Sequence, residues 1–239
     1  MISSFSLCVG LGAALGMAWV AWRAPQERAG LWLNAGLLVL FGALIGARAA
    51  FVWSHPAYFV DHWLDIPQVW LGGLSWPGGL LGFWVSLGLI SYFSRTSLGD
   101  LADKLLPLLP PLLVGAWLGS WLSGVAYGQV ASDAWWALPA PDEWGTWSAR
   151  IPLQVSGALV SVAIFLLIEW LSPQLKVAGQ AASLAYLAIC LMTLVLVSLR
   201  SDPVPVWHGW RWDILAAMLF SGCLLLVNLL AFWPRRKMG

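Results

Sequence analysis

The chain has 239 residues, of which 60% are hydrophobic and 10% are charged, and its formal net charge is +1. Soluble domains carry roughly 25% charged residues, so this composition excludes an ordinary soluble fold. The basic residues are scattered through the loops without forming a patch, which gives no reason to expect nucleic acid as a partner.

Seven apolar runs follow one another along the chain, each long enough to cross a bilayer core of about 30 Å as a helix. We predict spans at residues 4–22, 31–53, 73–93, 105–126, 151–171, 180–199 and 213–233. The first run lacks a preceding basic residue and a following cleavage site, so it is predicted to be a helix and not a signal peptide. The sequence therefore predicts an all-α, polytopic membrane protein with one transmembrane domain over residues 1–239.

The fourth predicted span contains three prolines, Pro107, Pro110 and Pro111, in its first turns. Proline costs little near a helix start, because the first amides of a helix have no intrahelical partners. We therefore keep this span in the prediction.

Lys and Arg fall mainly in the odd-numbered connections and the C-terminal tail, namely Arg23, Arg28, Arg95, Lys104, Lys176, Arg235, Arg236 and Lys237. The even-numbered connections hold only Arg150, Arg200 and Arg211. Because cytoplasmic loops hold the excess of basic residues, we expect the N-terminus outside and the C-terminus in the cytoplasm. Residues 234–239 then form a basic cytoplasmic anchor.

Two outward connections are long. Residues 127–150 carry acids, prolines and four tryptophans, and are predicted to form an extracytoplasmic amphipathic loop. Residues 55–69 are too polar and too short to span, and are predicted to be interfacial. Many of the 19 tryptophans lie at span ends or in these loops. An interfacial belt explains such tryptophans, with lining of a lateral opening for lipid as the alternative.

The cysteines Cys8, Cys190 and Cys223 lie in three different apolar spans, far apart in sequence. Their spacing matches neither a metal site nor a disulfide scaffold. The sequence predicts no metal and no cofactor.

Residues 70–82, WLGGLSWPGGLLG, place pairs of glycines around Ser75 and Pro77 just before the third span. Glycines there favour either close helix packing or a backbone that approaches a ligand, and free amides at a helix start can bind phosphate. Arg48, in the outer half of the second span, has two readings as well. It either snorkels to the interface or contacts a phosphate.

These segments, taken in order, resemble the prolipoprotein diacylglyceryl transferases, a family of seven-span bacterial inner-membrane enzymes. The resemblance rests on GARAAFVW, HPAYF, WLGGLSWPGGLLG, LADKLLPLLPPLLVGAWLGSWLSGVAYG, PLQ and LRSDP, in that order. It implies transfer of the diacylglyceryl group of phosphatidylglycerol to the cysteine thiol of a prolipoprotein, with glycerol phosphate leaving. It also implies a lipid-binding site made of Arg48, Ser75, Gly78, Gly79, Ser123, Tyr127 and Arg200.

Several polar positions of the family are replaced in this chain. By the resemblance, the histidine of the HGG motif falls on Pro77, and the arginine of the signature segment falls on Trp117. Other polar positions fall on Ser120, Ser123, Val125, Thr193, Val197 and Phe5. Neither proline nor tryptophan can accept a proton or pair with a phosphate. The catalytic residues are therefore left open.

Two hypotheses follow. The first is an active transferase that uses Arg48 and Arg200 for the phosphate and one of His55, His62 and His208 as base. The second is a non-catalytic relative that binds phospholipid or lipoprotein, or supports a partner protein. A transporter or channel is disfavoured, because apart from Arg48 the spans lack the ionisable residues that mark a polar pathway.

Overall fold

The computed structural model describes residues 3–231, in which the elements follow one another along a helical bundle. The helices are α1 (Ser4–Arg23), α2 (Ala29–Ser54), α3 (Pro56–Asp61), α4 (Trp76–Ser94), α5 (Leu98–Leu105), α6 (Leu109–Leu122), α7 (Leu153–Leu171), α8 (Gln180–Ser198) and α9 (Trp212–Ala231). The strands are β1 (Leu138–Pro141), β2 (Trp147–Arg150), β3 (Val206–Trp207) and β4 (Trp210–Arg211).

Seven of the helical segments described are long and apolar enough to cross a membrane, with α5 and α6 together forming the fourth. This confirms the predicted polytopic all-α protein. The predicted basic tail, and the last residues of the predicted seventh span, lie outside the described residues. The direction in which the chain crosses the membrane stays a prediction.

Successive spans run in opposite directions, so three connections lie at the same end of the bundle. These connections, residues 55–75, 123–152 and 199–211, define what we call the cap end. The start of α1 is fastened to the cap end as well, since the Ser3 amide donates to the carbonyl of Trp70 at 3.1 Å. The predicted site residues lie at the cap end or in the adjoining helix turns.

Close packing of α2 against α4 depends on glycines spaced four residues apart on both helices, Gly42 and Gly46 on α2 and Gly78 and Gly82 on α4. A Cβ placed on Gly46 would lie 2.3 Å from the carbonyl oxygen of Gly78, and one on Gly82 would lie 2.1 Å from that of Gly42. Small residues at this spacing let two helix backbones approach closely in a membrane.

The same device joins α1 to α6. Gly12 on α1 packs against the backbone of α6, where a Cβ would lie 2.3 Å from the carbonyl oxygen of Pro111. Gly115 and Gly119 on α6 pack against the backbone of α1, and a Cβ on Gly115 would lie 2.4 Å from the carbonyl oxygen of Cys8. The two tightly packed helix pairs therefore rest on the same four-residue glycine spacing. Gly119 is one of the residues that carry the family resemblance, and packing explains it.

The fourth span differs from its prediction at both ends. It starts at Leu98, where the Ser97 hydroxyl accepts from the amide of Asp100, and it ends at Leu122. The α-helix is interrupted by a 3₁₀ turn at Leu106–Leu108, so the prolines lie near the middle of the span. The physical reason is that proline removes an N–H and clashes with the preceding turn, which stops the α-helix and lets a second one begin.

The connection from 127 to 150 contains a β-hairpin in addition to the predicted loop. Strands β1 and β2 pair antiparallel. Their turn is closed by Asp142, whose Oδ1 accepts from the amides of Trp144 and Thr146. Such side-chain-to-backbone bonds are how aspartate stabilises turns. The other side of β2 pairs with residues 129–131, and Gln129 in turn donates to the carbonyl of Leu199.

Candidate functional site

Arg48 lies in the last two turns of α2, and 8% of its surface is exposed. Its Nε donates to the carbonyl of Ile66 at 2.7 Å, and its Nη1 donates to those of Gly72 and Gly73 at 2.9 and 3.0 Å. Its Nη2 donates to the carbonyl of Asp65. Every nitrogen of the guanidinium therefore has a backbone acceptor, and Arg48 fastens the connection 65–73 onto α2.

The same guanidinium lines an open pocket of about 360 Å³ at the cap end. Phe51 and Phe59 carry their rings within 6 Å of the guanidinium carbon, an arrangement typical of cation–π contacts. His55 also lines this pocket. The structure thus brings together two residues that the sequence proposed for different roles, the cation and one of the candidate bases.

Ser75, Pro77, Gly78 and Gly79 lie at or next to the first turn of α4. The Ser75 amide donates to the carbonyl of Ala47 at 3.0 Å, which fixes the start of α4 beside Arg48. A Cβ on Gly78 would lie 2.3 Å from the Cβ of Ala50, whereas one on Gly79 would make an ordinary contact of 3.5 Å. Close packing against α2 therefore accounts for Gly78 but does not account for Gly79.

At position 117 of α6, where the resemblance implies an arginine, the side chain makes apolar contacts. The Trp117 indole packs on α7 at Gly157, and a Cβ there would lie 2.2 Å from the ring. Ser120 is buried, whereas Ser123, which caps the end of α6, and Val125 are exposed. The Thr193 hydroxyl donates to the Ile189 carbonyl within α8, so this hydrogen bond is local and does not join α8 to another helix.

Tyr127 lies at the centre of a polar cluster beyond the end of α6. Its hydroxyl donates to the Glu143 carboxylate, and the Arg150 guanidinium lies over its ring, 4.4 Å from the centroid. Burial and the hydrogen bond to Glu143 raise the pKa of Tyr127 to about 12. The phenol is therefore protonated at neutral pH and acts as a hydrogen-bond donor.

Arg200 joins the same region through backbone pairing, because the Ser201 amide donates to the Tyr127 carbonyl at 3.0 Å. Its guanidinium forms ion pairs with Asp202 and Asp213, and Arg211 contacts both of these acids as well. Burial would raise the pKa of Asp202, but the hydrogen bonds and charge of Arg200 outweigh burial and hold that pKa below its usual value. Two arginines and two aspartates thus neutralise each other.

The remaining candidate bases lie apart from the Tyr127 cluster in their contacts. The Nδ1 of His62 lies 2.9 Å from the carbonyl of Tyr58, and its ring stacks on the Tyr58 ring. His208 is exposed in the β3–β4 turn with a left-handed φ of 48°. Among residues 3–231, no group of three or more His, Cys, Asp or Glu side chains is arranged to hold a metal ion.

The predicted site residues therefore fall into two groups at the cap end. Arg48, Ser75, Gly78 and Gly79 belong to the α2–α4 side, and Tyr127 and Arg200 belong to the α6–α8 side. Sequence reasoning placed Glu143 and Arg150 only in a connecting loop. Only 10% of the residues in this chain are charged, and that scarcity could have drawn attention to Glu143 and Arg150. Their partners could not be predicted, because they depend on how the hairpin folds.

Comparison with known proteins agrees with this architecture. The family model described as prolipoprotein diacylglyceryl transferase matches residues 1–233. A relative from Shewanella sp. strain ANA-3, named phosphatidylglycerol–prolipoprotein diacylglyceryl transferase, is 26% identical over 98% of this chain and 87% of its own length. Relatives of the same name from Bordetella parapertussis and Oleidesulfovibrio alaskensis are each 31% identical, over 61% and 59% of this chain and 55% and 54% of their own lengths.

Proposed function

Because this chain belongs to the prolipoprotein diacylglyceryl transferase family, we propose that it transfers a diacylglyceryl group from phosphatidylglycerol to the cysteine thiol of a prolipoprotein. The observation that carries the proposal is the match of the family over residues 1–233, together with a seven-span bundle whose buried charged residues, as far as the structure describes them, lie at the cap end. The relatives named above all carry the transferase name, so they do not favour the non-catalytic hypothesis.

The proposed location is the bacterial inner membrane, with the cap end facing outward. The support is the distribution of basic residues along the sequence. The three arginines of the even-numbered connections, Arg150, Arg200 and Arg211, are all paired with acids at the cap end. The positive-inside rule counts Lys and Arg near the span ends, and these three are few beside the eight of the other connections and the tail.

The reaction requires a thiolate and a leaving phosphate. The thiol gives its proton to a base, for which the candidates are His55, His62 and His208. The thiolate attacks the glyceryl carbon, the carbon–oxygen bond to the phosphate breaks, and glycerol phosphate departs with the negative charge. Cations and hydrogen-bond donors that hold this phosphate lower the barrier. We propose that Arg48, Ser75, Gly78, Gly79, Ser123, Tyr127 and Arg200 bind the lipid.

The chemistry of these residues assigns them different parts of the lipid. The Ser75 side chain forms no bond to the helix that it caps, so its hydroxyl is available to an acceptor on the lipid. The carbonyl acceptors of Arg48 leave one N–H of the guanidinium for a ligand in the adjoining pocket. We propose that Ser123, exposed at the end of α6, contacts the glycerol part of the headgroup.

The test is a pair of assays on the full chain. The first is complementation of a bacterial strain depleted of its own transferase, and the second is transfer from labelled phosphatidylglycerol to a cysteine-containing prolipoprotein peptide by the purified protein. Arg48→Ala is compared with Lys176→Ala, since Lys176 lies at the opposite end of the bundle. Transfer by wild type and Lys176→Ala supports the proposal.

The outcomes separate the two hypotheses. A folded protein that binds phosphatidylglycerol but neither transfers nor complements is the non-catalytic relative, and it refutes the proposed activity. Equal transfer by Arg48→Ala and Lys176→Ala removes Arg48 from the lipid-binding residues while leaving the activity intact. The thermal midpoint of each variant, measured on the same preparation, separates lost binding from lost folding.

A further inference from the structure

One buried cation at the cap end has an unfilled donor. Arg150, the last residue of β2, has 7% of its surface exposed, and its Nε has no hydrogen-bond partner. An orphaned buried N–H is costly, and in native structures such a group calls for an explanation. The bonds that Arg150 does make are long, at 3.4 Å to the Gly128 carbonyl and 3.3 Å to Asp142.

The other arginines of the cap end that the structure describes have a partner on every guanidinium nitrogen. All three nitrogens of Arg48 donate to carbonyls, and all three of Arg200 contact the carboxylates of Asp202 and Asp213. Arg211 uses its three nitrogens on the same two residues. An incoming anion would have to displace two carboxylates from Arg200, but only one weakly held carboxylate from Arg150.

Asp142 occupies the position of an anion on Arg150. Its Oδ1 is committed to the hairpin turn, and its Oδ2 lies 3.3 Å from the guanidinium. Charge-assisted bonds between arginine and an oxyanion are normally 2.7–2.9 Å long. The contact between Arg150 and Asp142 is therefore longer than a contact between Arg150 and a phosphate oxygen would be. The ring of Tyr127 packs flat against the guanidinium and holds it in place.

Arg150 lies just before the helix that packs against the position where the resemblance implies a cation. Trp117 meets α7 at Gly157, four residues into the helix, and Arg150 lies three residues before the helix begins. Four helical residues rise about 6 Å and residues 150–152 add to that distance, so Arg150 lies more than one helix turn from Gly157 toward the cap end. An arginine in a bilayer finds its lowest cost near the interface, which favours this displaced position.

We infer that Arg150 is the phosphate-binding residue of this chain, that it binds the oxyanion of the lipid phosphodiester through Nε and Nη2, and that Asp142 holds the site closed until the lipid arrives. This inference rests on the proposed function for its choice of lipid. It assigns to the hairpin a role in binding substrate, whereas the sequence predicted only an amphipathic loop there.

The experiment measures binding without turnover, by isothermal titration calorimetry on the full chain in a neutral detergent. The ligands are dioctanoyl phosphatidylglycerol, dioctanoylglycerol, which lacks the phosphate, and glycerol phosphate, which lacks the acyl chains. Arg150→Gln is expected to weaken binding of phosphatidylglycerol by about 10- to 100-fold, the usual effect of losing charge-assisted hydrogen bonds. Binding of dioctanoylglycerol is expected to be unchanged.

Asp142→Asn is the matched control because its expected sign is opposite. Asparagine keeps an oxygen for the turn amides but removes the competing charge, so phosphatidylglycerol should bind several-fold more tightly. If Arg150 and Asp142 were only a structural pair, both variants would weaken binding. Arg150→Lys keeps the charge without the planar fork, and is expected to lie between wild type and Arg150→Gln.

Three results would overturn the inference: wild-type affinity for phosphatidylglycerol in Arg150→Gln, an equal loss for dioctanoylglycerol, or weaker binding in Asp142→Asn. Glycerol phosphate decides the source of the anion. Arg150-dependent binding of glycerol phosphate assigns the site to any phosphate ester, and Arg150-dependent binding of phosphatidylglycerol alone assigns it to the lipid.

The transfer assay keeps the two proposals apart. A protein that binds phosphatidylglycerol through Arg150 but transfers nothing supports the inference and fails the proposed function. A protein whose transfer is unchanged in Arg150→Gln keeps the proposed function and overturns the inference.

Discussion

Two neighbouring glycines in the first turn of α4 should respond differently to alanine. A Cβ at position 78 would lie 2.3 Å from the Ala50 Cβ and from the Gly46 carbonyl oxygen, about 1 Å short of an ordinary contact. The backbone of α2 cannot move aside as a flexible side chain can, so α2 and α4 must separate. A Cβ at position 79 would make an ordinary contact at 3.5 Å with Ala47.

The magnitude follows from comparing the two variants directly. Both substitutions replace glycine by alanine in the same helix turn, so both bring a similar gain in helix propensity, at most about 1 kcal/mol. The difference between Gly78→Ala and Gly79→Ala therefore isolates the packing cost, which is about 1–3 kcal/mol for overpacking of a tight interface. For a chain of this size each kcal/mol changes the thermal midpoint by about 2–4 °C.

The assay is the apparent Tm of the purified variants in one mild detergent at one scan rate. Gly88→Ala is the reference within the same helix, because a Cβ there meets no atom within 4 Å. We expect Gly79→Ala and Gly88→Ala to match or exceed wild type, and Gly78→Ala to be lower than either by about 2–12 °C. Equal midpoints for Gly78→Ala and Gly79→Ala would refute the packing argument and leave lipid binding as the proposed reason for Gly78.

Three further predictions concern buried polar groups. Arg48→Ala removes the donors for four backbone carbonyls and should destabilise the protein by at least about 3 kcal/mol, read as a lower Tm and faster proteolysis of the connection 65–73; an unchanged Tm would contradict the fastening role. Asp103 accepts from the Gly179 and Ala182 amides at 2.7 and 2.8 Å and caps α8 from another helix, so Asp103→Ala should cost about 0.5–2 kcal/mol in the same assay, with a null result refuting the cap. The pKa of Asp202 is lowered in the folded state, so ionised Asp202 stabilises the fold fully above the unfolded pKa of about 3.9, and this stabilisation is lost as pH falls below that value. The Tm of the wild type should therefore fall more steeply than that of Asp202→Asn between about pH 4 and pH 2.

The sequence predicts the spans well because the signal for them is local. Each span is a continuous apolar run, and the bounds of the first span differ from prediction by one residue, 4–22 against Ser4–Arg23. The fourth span is the exception. Its start at Leu98 is capped by Ser97, and Asp103 in the same segment accepts from the amides at the start of α8, a partner that no property of residues 98–105 alone indicates.

The roles of the glycines in residues 70–82 could be predicted only in part from the sequence. The sequence left close packing and approach to a ligand as equal alternatives for residues 70–82, because either needs a residue without a side chain. The four-residue spacing of Gly78 and Gly82 favours packing, but the decision needed the matching pair on α2. Packing accounts for Gly78 and leaves Gly79 available for a ligand, a distinction that the letters GG do not contain.

The contacts within the polar cluster at the cap end could not be predicted from the sequence, for a different reason. Arg200 and Asp202 are two residues apart, and their pairing could have been read from LRSDP. The contacts of Arg150 with Asp142, and of Tyr127 with Glu143, depend on how a hairpin folds back over the end of α6. Hairpin register in a loop rich in tryptophan and proline has no strong local signal, so the sequence placed Arg150 only at the end of an amphipathic loop.

Trp117 and Gly157 have to be considered as a single replacement. The indole lies where any side chain at position 157 would have to be, so the tryptophan and a residue larger than glycine exclude each other. Placing an arginine at position 117 alone would leave its charge among apolar helices with a glycine opposite, at a cost of about 2.5–3.5 kcal/mol on insertion scales. Restoring by one substitution the arginine that the resemblance implies at position 117 would therefore be costly, and the transferase activity that we propose draws its phosphate-binding cation from another element. Arg150 lies just before the helix that Trp117 packs against, and its buried Nε has no partner among the described residues.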